Sequence, residues 1–371
     1  MMVAHILVAG ASGVIGTAAV EHFGQSPERR VTALSRRAPV VGAGVAFDHL
    51  ALDLEDRAVC QAALITLPPV THLVYAAVKE APGLVGGWRD EALIAANGAM
   101  FANVLDPLAK QGNLRHVTLL QGAKAYGAHR HPVAVPLRED TPRDDHPNFY
   151  WLHEDHLRSV AAESGFAFTI LRPQVLLGSA SGAAMNPVAA LGAYAALCRE
   201  LGLPFAYPGA GAGVMELVDA GLLAEAFEWA AQSPAAAGQT FNVTNGDVMV
   251  LSDAWPHIAA WFGSDPAGEA PASLAAFFAE DACVSAWGRL AERHGLRVPR
   301  LPDLLGQSHH YVDLLLGARI GARQVPVLLS TIKLRQAGFF PCRDSRDSLR
   351  HWLARMTELK LLPPLFIEDL P

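Results

Sequence analysis

The first half of the chain alternates short, β-rich apolar runs with longer helical segments. Runs near Val3–Ala9, Val31–Leu34, Thr71–Val78, His116–Gln121 and Phe166–Leu171 predict strands, and segments such as Glu91–Lys110 and Tyr150–Glu163 predict helices between them. This alternation implies an α/β fold, a doubly wound parallel sheet with helices on both faces, whose ligands bind at the carboxyl ends of the strands. Past Gly178 the rhythm changes. An apolar helix is expected at Pro187–Leu201, a short strand at Pro204–Tyr207, a helix at Asp219–Gln232 and a strand at Gln239–Val243. Mostly helical material follows from Ser252, broken by Pro/Gly-rich pieces such as Ser264-Asp265-Pro266-Ala267-Gly268. The expected division is a nucleotide-binding domain over residues 1–178, completed by about 210–247, and a smaller, mainly helical substrate-binding portion over 179–209 and 248–371. No internal repeat or low-complexity tail is visible.

The first apolar run, His5-Ile6-Leu7-Val8-Ala9, passes directly into Gly10-Ala11-Ser12-Gly13-Val14-Ile15-Gly16 and then into a helical stretch. Strand, glycine turn and helix start in that order suit a dinucleotide pyrophosphate, because bare backbone lets the anion reach N–H groups at the positive end of a helix. An ordinary glycine turn is the bland alternative. The N-terminal position and the return of a second strand at βαβ spacing favour a Rossmann domain. At the end of that second strand, NAD binders usually carry a carboxylate for the ribose, whereas NADP binders carry cations for the 2′-phosphate. This chain reads Ser35-Arg36-Arg37. Two guanidiniums can grip a phosphate and a hydroxyl can add a donor, so NADPH is expected over NADH; a solvated basic turn is the alternative.

Composition narrows the function classes. The 371 residues suggest about two domains, and 51% hydrophobic with 18% charged residues leaves ample core material. A net charge of −7 and a pI near 6.1 give no basic footprint for nucleic acid. Cys60, Cys198, Cys283 and Cys342 are far apart, without Cys-x-x-Cys pairs, so neither zinc nor a disulfide framework is suggested and reduced cytosolic thiols are expected. No secretory leader is visible, and Pro187–Leu201, taken as the most apolar helix candidate, is too short for a bilayer. A cytoplasmic enzyme of a small-molecule substrate is expected, with no membrane partner; a homodimer is carried as an open expectation. His153 and His156 lack a third metal ligand, so no metal is expected. Gly178-Ser179-Ala180-Ser181-Gly182 misses the hydrolase elbow, because Ala180 holds the nucleophile position.

Most short-chain reductases place a tyrosine and a lysine one helical turn apart, so that the ammonium assists proton donation by the phenol. Here Glu154 stands four residues after Tyr150, and the nearest candidate lysine is Lys124, in Gln121-Gly122-Ala123-Lys124-Ala125-Tyr126. That segment resembles the progesterone 5β-reductase/iridoid synthase-like family of extended short-chain reductases. The resemblance continues through Leu114-Arg115-His116-Val117, Asn148-Phe149-Tyr150 with Glu154-Asp155, Leu171-Arg172-Pro173 and Met185-Asn186. Further matches are Tyr194-Ala195-Ala196-Leu197-Cys198, Ala220-Gly221-Leu222-Leu223-Ala224-Glu225 and Phe241-Asn242-Val243-Thr244-Asn245-Gly246-Asp247. Nearly the whole chain is covered.

The resemblance implies NADPH-dependent 1,4-reduction of enones or enals, with hydride delivered to the β-carbon. It assigns Gly10, Ser12, Gly13, Val14, Ile15, Gly16, Ser35, Arg36 and Arg37 to the diphosphate and adenosine phosphate, and Asp53 with Leu54 to the adenine side. Ala76 and Ala77 fall near the ribose, Gln121 and Gly122 under the cofactor, and Pro173, Gln174, Val175 and Leu176 along nicotinamide. Lys124 matches the family's catalytic lysine. The family's catalytic tyrosine falls on Trp151, whose indole is no practical acid, and Tyr150 matches the tyrosine before it. Val78, Met185, His310 and Tyr311 are candidate pocket residues. Two other readings stand beside alkene reduction: a ketone or aldehyde reductase, and a non-catalytic NADPH-binding regulator.

Overall fold

The computed structural model describes residues 4–84, 86–210, 213–264, 268, 270, 272–317 and 326–364; Val3 and Asp265–Ala267, used in the sequence reading, lie outside these. Two compact units emerge, the first formed by Met1–Gln174, Ala220–Thr244 and Val327–Cys342, the second by Val175–Asp219, Asn245–Pro326 and Arg343–Pro371. The division falls after Gln174 rather than Gly178, and residues 327–342 join the first unit.

In the first unit the apolar runs become β1 (Ala4–Ala9), β2 (Arg29–Ser35), β4 (His72–Tyr75), β5 (His116–Leu120) and β6 (Ala167–Pro173), with β3 (Asp48–Ala51) and β10 (Gln239–Val243) at the edges. All pair in parallel in the order β10-β6-β5-β4-β1-β2-β3. The chain winds outward from β1 in both directions, so the strand order reverses between β1 and β4. A crevice for ligand is expected at the carboxyl ends of those two strands.

Helices α1 (Val14–Gly24), α2 (Arg57–Ile65), α3 (Glu91–Gln111), α4 (Phe149–Ser164), α6 (Ala220–Gln232) and the short α12 (Ile332–Gln336) complete the unit. Asp56, Asp90 and Asn148 accept N–H bonds from the first turns of α2, α3 and α4, and Gly112 and Gly165 close α3 and α4 at φ values of 71° and 78°. Leu7, Leu34, Leu73, Tyr75, Phe101, Leu105, Val117 and Ile170 form a buried core, each large side chain contributing about 1.5–3 kcal/mol. At 21 residues α3 is long and apolar enough to cross a membrane by length and composition alone, but its Phe101, Val104, Leu105 and Leu108 lie in this core.

In the second unit β7 (Val175–Leu177) pairs in parallel with β9 (Leu217–Asp219), and β8 (Val214–Met215) runs antiparallel to β11 (Met249–Val250). Around them lie α5 (Pro187–Leu201), α7 (Leu251–Trp261), α8 (Leu274–Ala279), α9 (Asp281–His294), α10 (Leu301–Leu305), α11 (Ser308–Leu316) and α13 (Ser345–Glu358). Helix α5 is buried on nearly every side, as its uninterrupted apolar sequence requires. The strand expected at Pro204–Tyr207 is reduced to a single bridge residue, Tyr207, whose N–H donates to the Gly268 carbonyl and whose carbonyl accepts from Ala270 N–H. Phe205 instead stacks on Trp255 at 4.6 Å and gives its carbonyl to that indole N–H, so this apolar run is buried by an aromatic cluster rather than a ladder.

Candidate active site

Three glycines shape the turn after β1, each for a different reason. Gly10 sits at φ 83°, and a Cβ there would stand 2.6 Å from the Ala77 nitrogen; on Gly16 it would stand 2.2 Å from the Gly10 carbonyl oxygen. These two are demanded by the protein's own backbone. Gly13 differs, since its Cβ would meet only the Gly10 oxygen, at 3.3 Å, within 4 Å. It is also the N-cap of α1, with no side-chain cap and no acid in the first turn. The space beside Gly13 and the uncapped N–H groups of Val14, Ile15 and Gly16 fit a diphosphate.

Arg36 and Arg37 follow β2, both exposed, and neither guanidinium has a partner among the described residues. The Ser35 hydroxyl donates to the Arg37 carbonyl at 2.6 Å and so shapes the loop that presents the two cations. Asp53 is exposed and accepts the Glu55 N–H at 3.1 Å, while Leu54 is a core side chain whose carbonyl accepts from Asn103. Ala76 and Ala77 continue β4 beside Gly10, with the Ala76 N–H on the Ala9 carbonyl.

At the end of β5 the side chain of Gln121 is fully engaged. Its oxygen accepts from Arg172 Nε at 2.8 Å and its amide lies 3.2 Å from the Tyr150 carbonyl and 3.3 Å from Glu154. The backbone N–H is on Leu171. These bonds fix the Gln121 side chain against Arg172 and α4, and Gly122 beside it carries no side chain. Glu154, the acid standing where the usual lysine would be, is buried beside Arg158, Arg172 and Arg143; burial works to raise its carboxyl, but the three cations overcome this and hold it below the ordinary range.

Tyr150 and Trp151 point to different neighbours. The Tyr150 hydroxyl lies 3.4 Å from where a Cβ on Gly122 would stand, and its ring packs at 5.2 Å against Trp88. Trp151 stacks under the Arg143 guanidinium at 4.7 Å, and its buried indole N–H has no partner among the described residues. Lys124 Nζ stands over the same Trp88 ring at 3.8 Å, so Lys124 and Tyr150 share that indole as a neighbour. Asn148 couples them: its side-chain oxygen caps α4 by accepting the Tyr150 N–H at 3.0 Å, and its amide donates to the Lys124 carbonyl at 3.2 Å. Burial pulls the Lys124 ammonium down to about 8, against the pull of the Glu80 carboxylate.

Residues 6–244 match the model of the NAD dependent epimerase/dehydratase family. The chain belongs to that family. Along 96% of its length it is 30% identical to the (S)-8-oxocitronellyl enol synthase of Nepeta racemosa, of which 92% is covered, and 28% identical to the 3-oxo-Delta(4,5)-steroid 5-beta-reductase of Arabidopsis thaliana, again 96% against 92%. Within the family it falls in the progesterone 5β-reductase/iridoid synthase-like group, and it is an enzyme, an oxidoreductase of the extended short-chain superfamily. A solved epimerase of Methanothermobacter thermautotrophicus shares the fold at a TM-score of 0.68 and 14% identity, over 96% of this chain and 92% of that one. The UDP-glucose 4-epimerase of Thermus thermophilus, in complex with NAD, does so at 0.62 and 19%, over 94% and 98%.

The remaining sequence-assigned residues of this family member divide between the units. Pro173 closes β6 in the first unit, where the Gln174 amide donates to Val327; Val175 and Leu176 belong to β7 of the second. Val78 is exposed in the first unit. In the second, Met185 precedes Asn186, whose N–H donates to the Ser308 hydroxyl at the start of α11, the helix that carries His310 and Tyr311. Three contributors escaped the sequence: Glu80 and His129, in loops without periodicity, and Trp88, in a single 3₁₀ turn over Gly87–Arg89. Gly87-Trp88-Arg89, a lone tryptophan in a glycine-rich loop, was the available signal.

Proposed function

We propose that this chain is an NADPH-dependent reductase of activated C=C bonds, carrying out 1,4-reduction of a small enone or enal. The observation that carries the reading is Lys124 and Tyr150 meeting on Trp88 at the carboxyl end of the sheet, in a chain resembling an enol synthase and a 3-oxo-steroid 5-beta-reductase. Bound NADPH would supply the hydride, to the carbon β to the substrate carbonyl. The turn at Gly13, with Val14, Ile15 and Gly16, would hold its diphosphate, and Arg36 with Arg37 its 2′-phosphate. Hydride addition leaves negative charge on the carbonyl oxygen, and the Tyr150 hydroxyl with the Lys124 ammonium can donate to it. Water can then protonate the α-carbon.

Tyr150 also supports the second reading, direct reduction of a ketone or aldehyde, because a phenol can protonate an alkoxide. The test is product analysis of the purified protein with NADPH against small enals, cyclic enones and simple ketones. Saturated carbonyl products are expected; allylic alcohols, or turnover of simple ketones alone, would replace the first reading by the second.

A further inference from the structure

The loop between β4 and α3 supplies two side chains that neither the glycine turn nor the Lys124–Tyr150 pair explains. Glu80 has a side chain only 4% exposed, and its two oxygens accept the Trp88 indole N–H at 3.2 and 3.0 Å. Lys124 Nζ lies 3.9 Å from the nearer of those oxygens and 3.8 Å from the centre of the Trp88 ring. Trp88 is wedged against Phe149 at 4.5 Å, Tyr150 at 5.2 Å and His129 at 5.7 Å. Thus one indole touches the lysine, the phenol and the start of α4, and one buried carboxylate sets the plane of that indole.

We propose that Glu80 and Trp88 are positioning residues for Lys124, a carboxylate and an aromatic face that together pin its ammonium at the end of β5 and keep it there as a cation. The inference rests on the proposed role of Lys124 at the reacting oxygen. A buried amine tends to shed its proton, because desolvation penalises the charged form. An opposite charge at this distance resists that loss, and the indole face adds an attraction that water does not screen. Burial dominates at Glu80 and leaves its carboxyl raised, although Lys124 and the indole N–H pull it down. The other titratable groups around Lys124 are His129, which burial and neighbouring cations lower to about 4, His146, which lies 3.3 Å from the Asn148 amide, and Tyr150. His129 is neutral at pH 7 and adds no positive charge beside Lys124, whose Nζ faces the Glu80 carboxyl at 3.9 Å.

The test reads Lys124 itself. Competitive amine labelling of the full chain with bound NADP+, followed by mass spectrometry across pH, should give a midpoint near 8. Glu80→Gln is expected to lower that midpoint by about one to two pH units, the usual effect of a nearby opposite charge, and Glu80→Asp to restore part of it. Trp88→Phe should lower it less. With an enal substrate, the alkaline limb of kcat should move by the same amount while KM for NADPH stays within about twofold, since a loss of 1.4 kcal/mol would change it tenfold. A midpoint unmoved in both Glu80→Gln and Trp88→Phe overturns the proposal. A midpoint that moves in a protein turning over no enal or enone upholds it and counts against the proposed function instead.

Discussion

Tyr150 and Trp151 are neighbours in sequence, yet a helix turns each residue by about 100°, so only one can face the end of β5. Tyr150 does, on Trp88, and Trp151 lies under Arg143. Tyr150→Phe is accordingly expected to lower kcat on an enal by about 10²-fold or more, within the range for a lost proton donor, and Trp151→Phe by less than about threefold. Equal losses from steady-state kinetics would return the role to Trp151. For the cofactor, Arg36→Ala with Arg37→Ala should weaken NADPH by about 10- to 100-fold, as two charge-assisted bonds are lost, and leave NADH within about threefold by calorimetry. Ser35→Ala would act through the loop, since the Ser35 hydroxyl holds the Arg37 carbonyl. At this scale the sequence was legible where the backbone alone decides, as with Gly10 and Gly16, whose positions leave no room for a Cβ. It was silent on Glu80 and Trp88, whose meaning depends on a long-range neighbour, Lys124, and it left Tyr150 and Trp151 side by side because a motif match does not resolve which way a side chain points.

Elements show the same limit in another form. Runs such as Val31–Leu34 and Phe166–Leu171 were readable because strands buried on both faces are rich in apolar and β-branched residues. Strand β3, Asp48–Ala51, was missed because it is an edge strand with three of its four residues exposed. The start of α1 offers the sharpest test of what its glycines do. Gly16→Ala puts a Cβ 2.2 Å from the Gly10 oxygen and should cost folding stability, of the order of 1–3 kcal/mol as for other overpacking, seen in urea melts. Gly13→Ala meets one atom at 3.3 Å, so it should fold with little loss but bind NADPH at least about tenfold more weakly, the effect of blocking backbone approach. If Gly13→Ala binds normally, the diphosphate is held elsewhere. Asn148 links α4 to the lysine in the same manner: Asn148→Asp keeps the cap oxygen but loses the bond to the Lys124 carbonyl, so kcat should fall while the melting temperature holds, whereas Asn148→Ala should lose both, with about 1 kcal/mol of stability gone.

Across the whole molecule, the sequence anticipated six of the seven strands of the parallel sheet, including the return of Gln239–Val243, which pairs with β6. It could not anticipate residues 327–342 returning to the first unit, because that segment is held by backbone bonds, Leu137 N–H to the Leu328 carbonyl and Ser330 N–H to the Leu137 carbonyl, which leave no pattern in sequence. The same sheet buries several imidazoles. His116 lies 3.0 Å from the Thr169 hydroxyl and is lowered to about 4, chiefly by burial, and His153 is likewise lowered to about 4 while its Nε2 lies 2.8 Å from the Asn97 carbonyl. The buried Nδ1 of His153 has no partner among the described residues, so a second proton there would have no acceptor. For these bases the folded value lies below the unfolded one, so between about 6.5 and 4 the unfolded chain binds more protons and stability falls as pH falls. Each can cost up to about 3 kcal/mol by pH 4, from 1.36 kcal/mol per unit of displacement. His131, raised by Asp144, acts in the opposite sense but is exposed and cannot offset them. Urea midpoints should therefore drop between pH 6.5 and 5, before most carboxylates titrate, and His153→Gln should flatten part of that slope because an amide can donate to Asn97 without titrating. A midpoint constant across this window would mean that His116 and His153 already carry their second protons in the folded protein.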